Sequence, residues 1–83
     1  MKRDLKEARI VLAGATGVLG GEIARQLVLA GARLGLFGRD TDRLDALALP
    51  GPRVVGDIAD SEACLEAVGQ AHASFGGLDG IIN

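Results

Sequence analysis

The apolar residues of this chain follow two periods that alternate along it. Ile10-Val11-Leu12-Ala13 is an unbroken apolar run and predicts a buried parallel strand over Arg9 to Ala13. From 18 to 30 the period becomes helical: Leu19, Ile23, Ala24, Leu27 and Val28 share a face, with Glu22, Arg25 and Gln26 opposite. Gly31 is positioned to stop that helix as a left-handed cap. Leu34-Gly35-Leu36-Phe37 predicts a second strand, in which Gly35 signals a helix packed closely above. A short helix capped by Asp40 or Thr41 follows, with Leu44, Leu47 and Ala48 on one face, and Pro50-Gly51-Pro52 ends it. Arg53-Val54-Val55-Gly56 is a third strand. Asp60 or Ser61 caps a third helix, with Glu62 in its first turn and an apolar stripe of Cys64, Val68, Ala71 and Phe75 flanked by Leu65 and His72. Gly76-Gly77 closes it, and Leu78 to Asn83 begins a fourth strand.

The order βαβαβαβ predicts an α/β fold with a doubly wound parallel sheet, strand order 3-2-1-4. No linker, repeat or low-complexity tract divides residues 1–83, so they read as a single domain. That domain is expected to be incomplete, because the fourth strand lacks the connection that should follow it. As an isolated 83-mer it is expected to be poorly stable and prone to self-association through an unpaired strand edge.

Composition narrows the picture further. Apolar residues make up 48% and aromatic residues only 2%, so the core must be aliphatic. The thirteen glycines are spread over turns and one motif, which argues against a disordered tract. A net charge of −2 with no basic stripe gives nucleic acid no electrostatic support. The single cysteine, Cys64, excludes an intramolecular disulfide and a cysteine-rich metal centre, and no metal-ligand spacing occurs. The charged start Met1-Lys2-Arg3-Asp4-Leu5-Lys6-Glu7 is followed by no stretch able to serve as a signal peptide or to cross a bilayer, so a cytoplasmic protein without a membrane partner is expected.

The candidate chemistry sits in Gly14-Ala15-Thr16-Gly17-Val18-Leu19-Gly20, between the first strand and the first helix. Glycines there let the backbone turn tightly and approach a pyrophosphate, while the helix N-terminus offers N–H groups and a positive dipole end. With Arg39 nineteen positions beyond Gly20, after the second strand, the layout is that of a dinucleotide-binding, Rossmann-type βαβ unit. Cofactors lacking a 2′-phosphate are usually read at this strand's end by an acid, and Gly38 cannot accept. Arg39 instead presents a planar fork of donors suited to phosphate, which points to NADP rather than NAD. Its alternative is a solvated loop arginine paired with Asp40 or Asp42. Arg43, one turn on, could assist or lie on the surface. Asp57 can accept from an adenine amino group while Ile58 packs on the ring, or it can serve the turn before the third helix. His72 reads as a packing or surface residue, Cys64 as a small buried thiol on the apolar stripe, and Asp79 as a turn residue.

These landmarks resemble the N-terminal part of short-chain dehydrogenase/reductases, from about Arg9 to Asn83. The glycine motif, Arg39, Asp57-Ile58 and Leu78-Asp79-Gly80-Ile81-Ile82-Asn83 come in the family's order. The last segment is similar to the family's fourth strand, which leads into an Asn-x-Ala-Gly motif. The middle glycine is Gly17, where the commonest pattern has its glycine at the position of Val18, and Ala13 stands in place of the usual Thr. The resemblance implies hydride transfer between NADP(H) and a small carbonyl or alcohol substrate, in a parent protein that is a homo-oligomer. The implied cofactor contacts are Gly14, Thr16, Gly17, Val18, Leu19, Gly20, Arg39, Asp57, Ile58 and Asn83. The family's catalytic Ser, Tyr and Lys have no counterpart here: the chain has no Tyr, and its lysines are Lys2 and Lys6. No catalytic residue is therefore assigned, and the isolated chain is expected to be inactive. A non-catalytic, NADP(H)-binding redox sensor of the same fold is the alternative, separated from an enzyme by a Tyr-x-x-x-Lys segment beyond Asn83.

Overall fold

A computed structural model describes residues 5–14 and 17–83. Seven elements follow in the order β1 (Arg9–Ala13), α1 (Val18–Leu29), β2 (Arg33–Gly38), α2 (Thr41–Ala46), β3 (Arg53–Val55), α3 (Ser61–Phe75) and β4 (Gly80–Ile82). The four strands form one parallel sheet in the order β3-β2-β1-β4, as the alternating periods predict. In register, Val11 lies beside Gly35 on one side and Ile81 on the other.

Strand side chains alternate between two cores, because successive residues point to opposite faces. Ile10 and Leu12 of β1 join Leu34 and Leu36 of β2 under α1 and α2, which contribute Ala24, Leu27 and Leu44. Val11, Ala13, Phe37 and Val54 face the other way, under Ala67 and Ala71 of α3. Leu12, Leu34, Leu36 and Leu44 are almost wholly buried. Each such side chain contributes about 1.5–3 kcal/mol by leaving water.

Local signals set the ends of the helices. Asp40 caps α2, its carboxylate accepting from the Asp42 and Arg43 N–H groups, and Asp60 caps α3 by accepting from Glu62 N–H. Past α1, Gly31 takes φ +91°; its N–H reaches the Val28 carbonyl and that of Ala32 reaches Leu27, a Schellman closure. The helix that Gly35 announces is α3: a Cβ added at Gly35 would stand 3.3 Å from the Ala71 Cβ.

Four details of the helix faces differ from the periodic reading. Leu19 is exposed in the first turn of α1 and takes no part in its buried face. Ala48 lies beyond α2, in a left-handed turn with φ +54°. On α3 the core residue is Ala67, with Val68 half-buried, and Leu65 and His72 face solvent. The closest approach of α3 to the sheet favours small side chains, so the buried line runs through alanines and not through the larger residues.

Arg9, read as part of an apolar strand, anchors β1 to the segment before β4. Its Nε and Nη2 donate to the two carboxylate oxygens of Asp79, each at 3.0 Å, and its backbone N–H donates to Oδ2 at 2.8 Å. Asp79 N–H returns a bond to the Arg9 carbonyl at 2.7 Å. Asp79 is thus more than a turn residue. The side-chain bonds from Arg9, followed by its backbone N–H, lower the Asp79 pKa to about 2.

Candidate nucleotide-binding site

A cavity of about 570 Å³ opens at the carboxyl ends of the strands. Ala13 and Gly14 end β1 there, Gly38 ends β2, Gly56 follows β3 and Asn83 follows β4. A crevice at this edge of a parallel sheet, where the chain crosses from one side of β1 to the other, is where open α/β folds bind ligands.

The turn out of β1 explains its glycines. Gly14 adopts φ +77°, a conformation other residues enter at a cost of about 1–3 kcal/mol. A Cβ added there would meet nothing within 4 Å. Helix–strand packing therefore does not account for Gly14: its backbone conformation does, and so does the open space it leaves in the cavity wall. Gly17 N–H closes the turn onto the Gly14 carbonyl at 3.3 Å, and Gly17 is the N-cap of α1 with extended backbone. Gly17 has no side chain to cap the helix, and the first turn of α1 carries no acid. The positive end of the helix dipole thus meets neither a capping side chain nor a carboxylate of its own first turn.

Of the residues singled out from sequence, Gly14, Gly17, Arg39, Asp57, Ile58 and Asn83 line this cavity together. Val18 and Leu19 stand outside its lining in the first turn of α1, with exposures of 97% and 74%, and Gly20 is also outside it. What these three can offer a bound anion is backbone N–H. Thr16 lies outside the described residues.

The charged groups of the rim form two pairs. Arg39 Nη1 stands 3.9 Å from Asp57 Oδ2, and Arg43 Nε stands 3.6 Å from Asp40 Oδ2. Arg39 thus pairs with Asp57 across the cavity and not with Asp40 or Asp42. Arg43, left open between assisting and surface roles, is both largely exposed and part of the lining. Asp57 keeps the turn role as well: its Oδ1 accepts the Ala59 N–H at 2.9 Å, leaving Oδ2 toward Arg39.

Gly56 was missed by sequence reasoning. A Cβ there would come within 2.7 Å of Ala63 Cβ and 3.0 Å of Phe37, so a side chain would force apart β2, α3 and the cavity floor. Its only sequence signal is its place after a short strand. Behind Ile58, Cys64 Sγ donates to the Ile58 carbonyl at 3.2 Å. Among the described residues there is no group of three or more His, Cys, Asp or Glu able to hold a metal. No helix among them is long and apolar enough to cross a membrane.

No protein-family profile matches the chain. A curated bovine protein, dehydrogenase/reductase SDR family member 7B, is 35% identical over an alignment that takes in the whole chain. The chain spans 30% of that relative's length. Among solved structures, a short-chain dehydrogenase/reductase described as glucose/ribitol dehydrogenase, from Brucella melitensis, superposes with a TM-score of 0.88 at 30% identity. That match covers 98% of this chain and 37% of the other. A Burkholderia cenocepacia short-chain dehydrogenase, solved in complex with NADP, gives 0.86 at 26% identity over 98% of this chain and 36% of that one. In sequence and in strand order alike, the chain belongs to the short-chain dehydrogenase/reductase family, and corresponds to its N-terminal, cofactor-binding part.

Proposed function

We propose that this chain is the NADP(H)-binding part of a short-chain oxidoreductase acting on a small carbonyl or alcohol. The observation that carries the reading is the cavity at the strand ends, with the Gly14 turn and the N-terminus of α1 on one side and Arg39 on the other. The donor set fits a dinucleotide. The first turn of α1 directs N–H groups at a pyrophosphate, and Gly14 leaves room for it. Arg39 would hold the 2′-phosphate, at the strand end where an acid would accept from ribose hydroxyls. Asp57 Oδ2 accepts from the adenine amino group and Ile58 covers the ring. Asn83 bounds the cavity beyond β4 and lies beside the rest of the cofactor.

When bound, the nicotinamide gives or takes the hydride. These residues bind and orient the cofactor, and no group among them is assigned proton transfer. In our reading that work belongs to the two-thirds of a family-length chain that this sequence does not span. The complexed Burkholderia cenocepacia relative supports the choice of cofactor class, and Arg39 supports NADP over NAD within it.

Titration of NADPH and NADH against the protein and its Arg39→Ala variant tests the reading. The variant should lose about 1.5–3 kcal/mol of NADPH affinity, roughly ten- to a hundredfold, and leave NADH nearly unchanged. Equal losses for both cofactors would remove Arg39 from the 2′-phosphate.

A further inference from the structure

The pair that spans the cavity joins the two residues assigned to different parts of the cofactor. Arg39 and Asp57 meet through one nitrogen and one oxygen at 3.9 Å, with side-chain exposures of 79% and 52%. A carboxylate well matched to a guanidinium takes two short parallel bonds. This one cannot turn freely to do so, because Oδ1 is held by the Ala59 N–H. Arg39 thus rests on an acceptor that engages only part of its fork. A phosphate dianion entering the cavity offers the full grip.

We propose that Asp57 is a specificity-determining residue that works against the 2′-phosphate, by holding Arg39 across the cavity and yielding it when a phosphate arrives. The inference rests on the adenosine-site reading above. Arg39 passes from Asp57 Oδ2 to the phosphate, while Oδ2 accepts from the adenine amino group of either cofactor. A carboxylate oxygen has two acceptor sites, so beside an unphosphorylated cofactor Oδ2 keeps Arg39 as well as the adenine amino group, and only the 2′-phosphorylated ligand has to displace the Arg39 contact. The carboxylate also sits close enough to repel the incoming dianion. The chain therefore binds NADP(H) less selectively than Arg39 alone would allow. The size of the effect is that of an exposed ion pair, about two- to fivefold in affinity.

The test uses two fragments that need only this cavity, adenosine 2′,5′-bisphosphate and adenosine 5′-monophosphate, bound to the protein and followed by calorimetry. Asp57→Asn keeps an oxygen for the Ala59 N–H and removes the charge. It weakens adenine binding to both ligands alike, so the readout is the ratio of their affinities. That ratio, bisphosphate over monophosphate, should rise about two- to fivefold in Asp57→Asn, and Asp57→Ser should raise it similarly. In an Arg39→Ala background the same substitutions should move it less, leaving only the direct repulsion. A ratio that stays unchanged or falls with Arg39 present overturns the proposal, and a fall would mean that Asp57 positions Arg39 for the phosphate. Failure of the unsubstituted protein to bind either fragment overturns the adenosine site itself, a different result from an unchanged ratio.

Discussion

Both ends of this sheet carry arginine–aspartate pairs, and they are built differently. At the start of β1, Arg9 and Asp79 share two side-chain bonds at 3.0 Å and are further tied through both backbones. At the far end, Arg39 and Asp57 meet through a single contact at 3.9 Å, and Arg43 and Asp40 through one at 3.6 Å. The first pair joins segments seventy residues apart and leaves neither charged group in need of another partner. The rim pairs surround a cavity and keep most of their donor capacity for something else. The near pair is saturated with partners, and the rim pairs each make one long contact beside an open turn.

The largest effect should come from the turn out of β1 at the far end. Gly14→Val places a branched side chain at φ +77° and in the open wall of the cavity. NADPH affinity should fall by more than about a hundredfold, or about 2.7 kcal/mol. Calorimetry on protein that still shows cooperative melting would measure it. An affinity within tenfold of the original would put the pyrophosphate elsewhere.

Next in size is the clamp at the near end. Asp79→Ala strips Arg9 of its carboxylate and leaves the Arg9 N–H without that acceptor, so the melting temperature should drop by several degrees. The affinity of the folded protein for NADPH should stay as it was. A parallel loss of affinity would mean that the two ends of the sheet are not independent, and the contrast between them would fail.

The smallest and most specific effect is in pH. The Asp79 carboxyl is held at about 2 in the folded chain, against roughly 3.9 for an aspartate in an unfolded one. The pair's contribution to stability is therefore present above pH ~4 and is lost as pH falls toward 2. Melting temperatures of the protein and its Asp79→Asn variant should differ at pH 7 and converge across that window. A gap that persists unchanged at pH 2 would show that the carboxylate charge is not what the clamp uses.

The legibility of the chain follows the range of the forces involved. The caps at Asp40 and Asp60, the left-handed Gly31 and the close approach at Gly35 could all be expected, because each reflects a few neighbouring residues or one backbone angle. Gly14, Gly17, Arg39, Asp57, Ile58 and Asn83 were found as site candidates because each follows a strand in a parallel sheet, whose carboxyl ends meet on one edge. Arg9–Asp79 was not legible: nothing near either residue in sequence indicates a partner seventy positions away. Ala67 displaced Val68 from the expected core line because helical period locates a face only to within a residue, and the spacing between helix and sheet selects the side chain.

By itself, then, the sequence determined the alternation of strands and helices, their order in the sheet and the edge that carries the cavity, since these depend on period, turns and the geometry of parallel crossover. Tertiary structure alone decided which charges meet. It gave Arg9 a saturated partner, set Arg39 against Asp57 rather than its neighbours Asp40 and Asp42, and brought Gly56 against Ala63 and Phe37. Ion pairing and close approach depend on distances between segments, and those distances exist only once both faces of the sheet have been covered.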